Sequence, residues 1–294
     1  MRLKRAELDI LGQSRIGMLA LRAGRLPLVN PAAFHFGAGS LWITTSRHAV
    51  KTVLARRDPR AAFFVDSGTR SLLLQGAIEV YDPLSLSSQL RALMDGPAYL
   101  MGLAGYTLKN APFVAGYLFD LTHIPREWLP YNRVVLRLVP SDSDLMDGWQ
   151  FPEAQAARVP SVPADISRRL AGVPSGYACW IEEGRPLLAP ALWEVDRGRV
   201  MVAPTGRRPR AGLAGALVVE SHHRFRPSLV IGACVRGTFG GLVAGDDIAE
   251  RYGILSSQVP PSLDLKPERV TWWRGFKVST TVARAARRLR IAEA

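Results

Sequence analysis

Short apolar runs broken by Gly, Pro and Asp dominate the first part of the chain: "RIGMLAL", "LPLVNPAAFHF", "SLWITT", "AAFFV" and "SLLLQGAIEVYD". Runs this short, bounded by turn formers, predict antiparallel strands wrapped into a barrel. "FGAGS" at 36–40 reads as a hairpin turn between two of them. One stretch breaks the pattern. Across 47–57 Ala49, Val50, Val53 and Leu54 recur at helical spacing, and Asp58-Pro59 supplies a stop. The segment 41–66 therefore opens as a strand, becomes a basic helix and returns to a strand.

The same order comes back after a Pro-rich join at 151–163, "FPEAQAARVPSVP". Set against "GRLPLVNPAAFHFGAGSLWI", the segment "GRPLLAPALWEVDRGRVMV" aligns Pro31 with Pro190, Phe34 with Trp193 and Gly39 with Gly198, each pair 159 positions apart. "FFVD" meets "LVVE" at a separation of 154, and "SLLLQGA" meets "SLVIGA". "LRLVPSDSDLMDGWQ" meets "LDLKPERVTWWRGFK", pairing Pro140 with Pro267 and Gly148 with Gly275 at 127. Four matched blocks in one order predict a duplicated unit.

The fall in separation from 154 to 127 means that the second copy lacks 27 residues of the first. They belong to a stretch at about 83–132 that reads as helices joined by Gly and Pro, of which the second copy keeps only "AGDDIAERYGIL". The expected division is a first barrel over 1–150 with that insert, a linker at 151–163, and a second, shorter and degenerate barrel over 164–294. Closing a sheet into a barrel removes open edges, and an isologous interface survives fusion because one patch faces itself. The fused chain is expected to be an intramolecular pseudo-dimer that can be monomeric.

Composition changes this picture little. With 294 residues, 48% of them hydrophobic, the chain can bury a full core. No apolar run is long enough for a membrane helix, and "MRLKRAELDI" lacks the apolar segment of a signal peptide, so the expectation is a cytoplasmic protein with no membrane role. Cys179 and Cys234 lie in apolar strand-like runs, as buried thiols do, and no metal site is expected. Charge matters more. A formal net charge of +13 suits nucleic acid, anionic membranes or phosphorylated small molecules, and composition does not choose among them.

The strands "SRIGMLAL" and "LPLVNPAAFHF", the strand ending "WITT", the helix "KTVLARRDPR", and the pair "AAFFVD" and "LQGAIEVYD" follow one another as in the flavin-binding split-barrel superfamily, which includes the pyridoxamine 5′-phosphate oxidase-like proteins and their deazaflavin-dependent relatives. The chain resembles that group well over about residues 10–82 and more loosely over about 175–240. The fold class then reads as mainly β with peripheral helices (α+β), as two split β-barrels in tandem. The resemblance implies a flavin phosphate at the start of the 47–57 helix. It implies FMN as cofactor, with a deazaflavin as the alternative and haem, which some split barrels bind, as the lesser one. The implied function is an oxidoreductase passing a hydride to or from a small substrate at the cleft between barrels. The alternative is a binding protein of the same fold without turnover.

The residues support a phosphate site in their own right. A helix amino terminus carries unpaired N–H groups and a partial positive charge. Hydroxyls of Thr44, Thr45 and Ser46 and cations Arg47 and Lys51 would add to it. Asn30 and Trp42 complete the expected cofactor-binding set, and no catalytic residue is assigned. An ordinary reading stands beside this one, with Ser46 a simple cap and Arg47 a surface side chain. Lys51 stands where the superfamily usually has its lysine. His48 departs from the second cation of the phosphopyridoxamine oxidases proper, so the ligand set stays open.

The second copy has only "GRRPRAGLAG" where the helix should run, so one cofactor site is expected, built by the first copy and closed by the second. No Gly-x-Ser-x-Gly, Walker loop or metal-spaced cluster appears. His35 and His123 are weak candidates as proton donors or haem ligands, and "SHHR" at 221–224 is a weak metal candidate. Trp272, Trp273, Tyr99 and Tyr106 read as core or as pocket lining. Nucleic-acid binding rests only on charge, above all in "ARAARRLR", which reads more simply as a helix docked on its own barrel.

Overall fold

The computed structural model describes residues 1–121, 124–196, 198–221 and 226–283. The first sheet holds β1 (Ile16–Ala23), β2 (Leu26–Ala33), β3 (His35–Gly37), β4 (Ser40–Ser46), β5 (Arg60–Asp66), β6 (Arg70–Tyr81) and β7 (Arg133–Asp147), in the order β2-β1-β5-β6-β7-β4-β3. Its two edge strands, β2 and β3, are one run of chain broken at Phe34, so the sheet curls back onto its own starting strand.

The second sheet holds β8 (Gly176–Glu182), β9 (Arg185–Asp196), β10 (Arg199–Pro204), β11 (Ala214–Ser221), β12 (Ile231–Val243), β13 (Ser262–Arg274) and β14 (Lys277–Val282). Its order is β10-β9-β8-β11-β12-β13-β14, and a further β10–β13 ladder closes six strands into a barrel. With β9 standing for β2 plus β3, both sheets have the same circular order.

Register carries the repeat down to single residues. Met18 faces Pro31 as Tyr177 faces Pro190, and Leu41 faces Leu138 as Val200 faces Leu265. A bulge falls at the same point in both copies, at Gln75/Gly76 opposite Pro140 and at Arg236/Gly237 opposite Pro267. A Cβ on Gly76 would collide with the Val139 carbonyl oxygen, and one on Gly237 with that of Lys266. Only glycine allows the strand so close at the bulge.

The barrels pack as the repeat requires. Strand β2 lies on β8, β11 and β12, and β9 lies on β1, β5 and β6, which is one set of contacts under a pseudo-two-fold. One apolar core runs through both, with Phe63, Phe64, Trp180 and Trp193 fully buried in it, and the Phe64 and Tyr177 rings meet edge to face at 5.8 Å. Cys179 and Cys234 are buried free thiols, and burial pushes both pKa values up, that of Cys234 to about 11.

Helix α1 (Arg5–Gln13) precedes β1, and α2 (Val50–Arg57) joins β4 to β5. The insert contains α3 (Leu86–Lys109), kinked at Gly96-Pro97, and α4 (Ala111–Phe119). In the second copy α5 (Ala164–Leu170) precedes β8, and α6 (Asp246–Tyr252) occupies the remnant. From the join, Phe151 and Ala154 pack with α6, while Ala157 and Val159 are buried in the shared core. No helix among the described residues is long and apolar enough to cross a membrane. His123, "HHR" and the residues from Arg284 onward lie outside the described residues.

Candidate functional site

A cavity of about 480 Å³ opens between the first barrel, its helical insert and the β13–β14 hairpin of the second barrel. It lies within the roughly 300–1,000 Å³ of small-molecule sites. Asn30, Thr44, Thr45 and Lys51 line it, as do Ala49 and Val50 at the start of α2. The helix is shorter than its apolar spacing suggests. It begins at Val50, because Thr44, Thr45 and Ser46 still belong to β4, and its cap position is Ala49, with no side-chain cap. Val50 and Lys51 are its first two helical residues, whose N–H groups have no carbonyl to reach within the helix.

Three residues of the expected set lie outside the lining. Ser46 is fully buried, donates its hydroxyl to the Glu127 carbonyl and accepts the His48 N–H at 3.1 Å, so it shapes the turn instead of capping the helix. Arg47 is bound to Asp82, which also holds Arg56. Trp42 is fully buried behind the cavity wall, donating its indole N–H to the Gly37 carbonyl at 2.9 Å and packing against Tyr81 and Tyr99. The spacing of hydroxyls and cations in the sequence does not distinguish side chains facing the cavity from those facing the chain's own turn.

Arg133, at the start of β7, takes the place of the second cation. It donates to the Thr44 hydroxyl at 2.6 Å and lies 5.2 Å from the Tyr117 ring centre. Lys51 donates to the Pro31 carbonyl at 3.1 Å. Burial first, then the charge of Arg133, pushes the Lys51 ammonium down to about 8. No carboxylate pairs with either cation among the described residues. The only hint of Arg133 in the sequence is one Arg opening an apolar strand, a pattern shared by many surface residues.

Much of the remaining lining is aromatic. Tyr99, Tyr106, Phe113, Tyr117 and Trp128 come from the insert region, and Trp273 and Phe276 from the second barrel. Phe276 sits between Tyr117 and Trp128, with ring centres at 6.1 and 5.2 Å. Tyr99, Tyr106 and Trp273 thus line the cavity, whereas Trp272 packs against the core. Two buried polar atoms in the lining have no protein partner: the Thr45 hydroxyl and the Trp273 indole nitrogen.

The equivalent place in the second copy is filled. Asn30 and Thr44 correspond to Ala189 and Ala203, and α6 packs Ile248 and Tyr252 onto Leu192, Met201 and Ala203. Arg251 stacks 3.6 Å from the Trp193 ring centre and donates to the Trp193, Gln155 and Val173 carbonyls. Instead of a helix, 205–213 forms a loop, where Arg207 pairs with Glu182. His35 lies apart from the cavity, against Gly105 of α3, and burial and Lys109 lower its pKa.

Fold and site together define a tandem split-barrel protein with an aromatic-lined cavity between its halves that carries Lys51 and Arg133. Comparison with protein families finds no match, and comparison with curated proteins finds none. Among solved structures, an FAD-binding protein from Mesorhizobium loti is similar over 49% of this chain and 94% of its own, at 18% identity and a TM-score of 0.34. A conserved hypothetical protein from Mycobacterium tuberculosis matches over 50% and 86%, at 23% identity and a TM-score of 0.32. General Stress Protein 26 from Bacillus anthracis matches over 50% and 95%, at 15% identity and a TM-score of 0.34. Likeness at this level assigns no activity to this chain.

Proposed function

We propose that the cavity binds a flavin-type cofactor, FMN or a deazaflavin, and that the protein is an oxidoreductase acting on a small substrate there. The observation that carries this reading is the pairing of two carboxylate-free cations, Lys51 and Arg133, with an aromatic lining in one cavity. A phosphate fits the first part, since Lys51 and Arg133 are close enough for one charge to act on the other, and Arg133 is held by the Thr44 hydroxyl in the same lining. A flat conjugated ring fits the second, among the aromatic side chains that line the cavity.

Such a cofactor supplies the hydride chemistry itself, and the protein's share is orientation and exclusion of water. Side chains from both barrels enclose the cavity, so Trp273 and Phe276 close over what Lys51 and Arg133 hold.

The test is titration of the purified chain with FMN and with a deazaflavin, followed by fluorescence quenching. We expect saturable binding of one of them, weakened at least tenfold in Lys51→Ala/Arg133→Ala, a loss that needs about 1.4 kcal/mol. Failure of both compounds to bind, or equal affinity in the double variant, would remove this reading. Reduction of the bound cofactor by a reductant, followed by reoxidation with candidate acceptors, separates an enzyme from a carrier of the same fold.

A further inference from the structure

The chain has five lysines, and the surroundings of Lys51 set it apart from the other four. Lys4, Lys266 and Lys277 are exposed. Lys109 is half-buried, donates to the Leu11 carbonyl and lies 4.1 Å from the Phe34 ring centre, outside the cavity. Lys51 alone of the five lines the cavity, in a wall shared with Arg133, Tyr99, Tyr106, Tyr117 and Trp273.

That setting suits an amine as well as an ammonium. The Lys51 hydrogen bond to the Pro31 carbonyl, at 3.1 Å, is one that a neutral amine also donates, and it leaves the nitrogen lone pair unused. No carboxylate pairs with Lys51 among the described residues, so no opposite charge fixes the positive form. With its pKa lowered to about 8, about a tenth of the chains carry the free amine near pH 7, against roughly one in three thousand at the ordinary 10.5. A lysine in an apolar pocket beside a second cation is the arrangement that turns the amine into a nucleophile toward carbonyl compounds. Lys109 is lowered to about 8 as well, but no cavity beside it receives a reactant.

We propose that the ligand-free cavity captures an aromatic aldehyde bearing a carboxylate, as an imine on Lys51 with the acid group on Arg133. The Lys51 lone pair forms a bond to the carbonyl carbon, the carbonyl oxygen leaves as water with both amine hydrogens, and C=N replaces C=O. No electrons are transferred, so the step needs no oxidant or reductant. Arg133, steadied by the Thr44 hydroxyl at 2.6 Å and without a carboxylate of its own among the described residues, offers the planar fork that an acid group takes up. The aromatic side chains of the wall receive the ring. This capture stands apart from the cofactor reading: it needs no flavin, and a flavin-type ligand held at Lys51 would exclude it.

The test is reductive trapping on the full chain near pH 7, with no flavin present. The protein is mixed with 4-carboxybenzaldehyde or with benzaldehyde and with cyanoborohydride, which reduces an imine to a stable secondary amine, and peptide mass spectrometry locates the label. We expect Lys51 to take at least ten times the label of any other lysine, and 4-carboxybenzaldehyde to label it at least tenfold faster than benzaldehyde. In Arg133→Gln that preference for the acid should vanish, with circular dichroism unchanged. Label spread over Lys4, Lys266 and Lys277, or as strong on Lys109 as on Lys51, overturns the proposal, because either pattern follows from amine reactivity in general. Equal rates with the two aldehydes overturn it as well. Because no flavin is present, a chain that fails to bind FMN still passes or fails this test on its own terms.

Discussion

Thr45, Lys51 and Arg133 show how a site can be set by what side chains lack. The Thr45 hydroxyl is buried with no partner, and the two cations share a wall with no carboxylate. Thr45→Val removes a buried hydroxyl that no protein group satisfies, so thermal stability should hold or rise while ligand affinity changes little. Calorimetric melts and ligand titration on the same samples check both halves. Because Lys51 loses its proton near pH 8 in the free protein, an anion that needs the ammonium should bind less tightly as pH rises through about 8, and Lys51→Met should flatten that profile. Stability moves the opposite way. Between about 8 and the ordinary 10.5 the unfolded chain binds the proton that the folded chain has shed, so folding gains from rising pH in that window. Difference melts of wild type against Lys51→Met read the sign directly. Arg47→Ala, by contrast, breaks the Asp82 pair and should disturb local packing without removing a cavity-lining charge.

At the scale of elements, the bulges in β6 and β12 are one device used twice. Gly76→Ala and Gly237→Ala each push a methyl into a carbonyl of the facing strand, and each should cost roughly 2–4 kcal/mol, visible as a large fall in Tm. A small loss in either variant would mean that the bulge can shift register. Hydrophobic periodicity foretold the strands, the hairpin turn at 36–40 and the helical insert. The residues that mark the helical spacing of α2 are not all core, since Val50 and Val53 are 45% and 38% exposed. Val50 lines the cavity, so an apolar residue that faces a cavity looks in sequence like one that faces a core. The start of α2 was misplaced for a related reason, because hydroxyls suit a strand end as well as a cap.

For the whole molecule, duplication followed by divergence leaves one open site and one filled. Where the first copy has Asn30, Thr44 and a cavity, the second has Ala189, Ala203 and the packed residues of α6. We therefore expect one ligand per chain in a calorimetric titration, and two equal sites would contradict the filling by α6. Trp273→Phe tests the contribution of the second barrel: it trims the indole to a single phenyl ring, and should weaken ligand binding while leaving the Lys51 pH profile in place.

The sequence by itself determined the strands, the repeat and the place of the insert, because these follow from local periodicity, turn chemistry and the residue pairings that register preserves. Its matched Pro and Gly positions mark bulges and turns that a backbone cannot form otherwise. Only the tertiary structure decided which polar side chains meet. Arg133 reaches Thr44 across 89 positions, Arg47 turns to Asp82, and Trp273 arrives from the other barrel with its indole N–H unpaired. Burial and partnership depend on distant chain segments brought together by packing, and no local pattern records them.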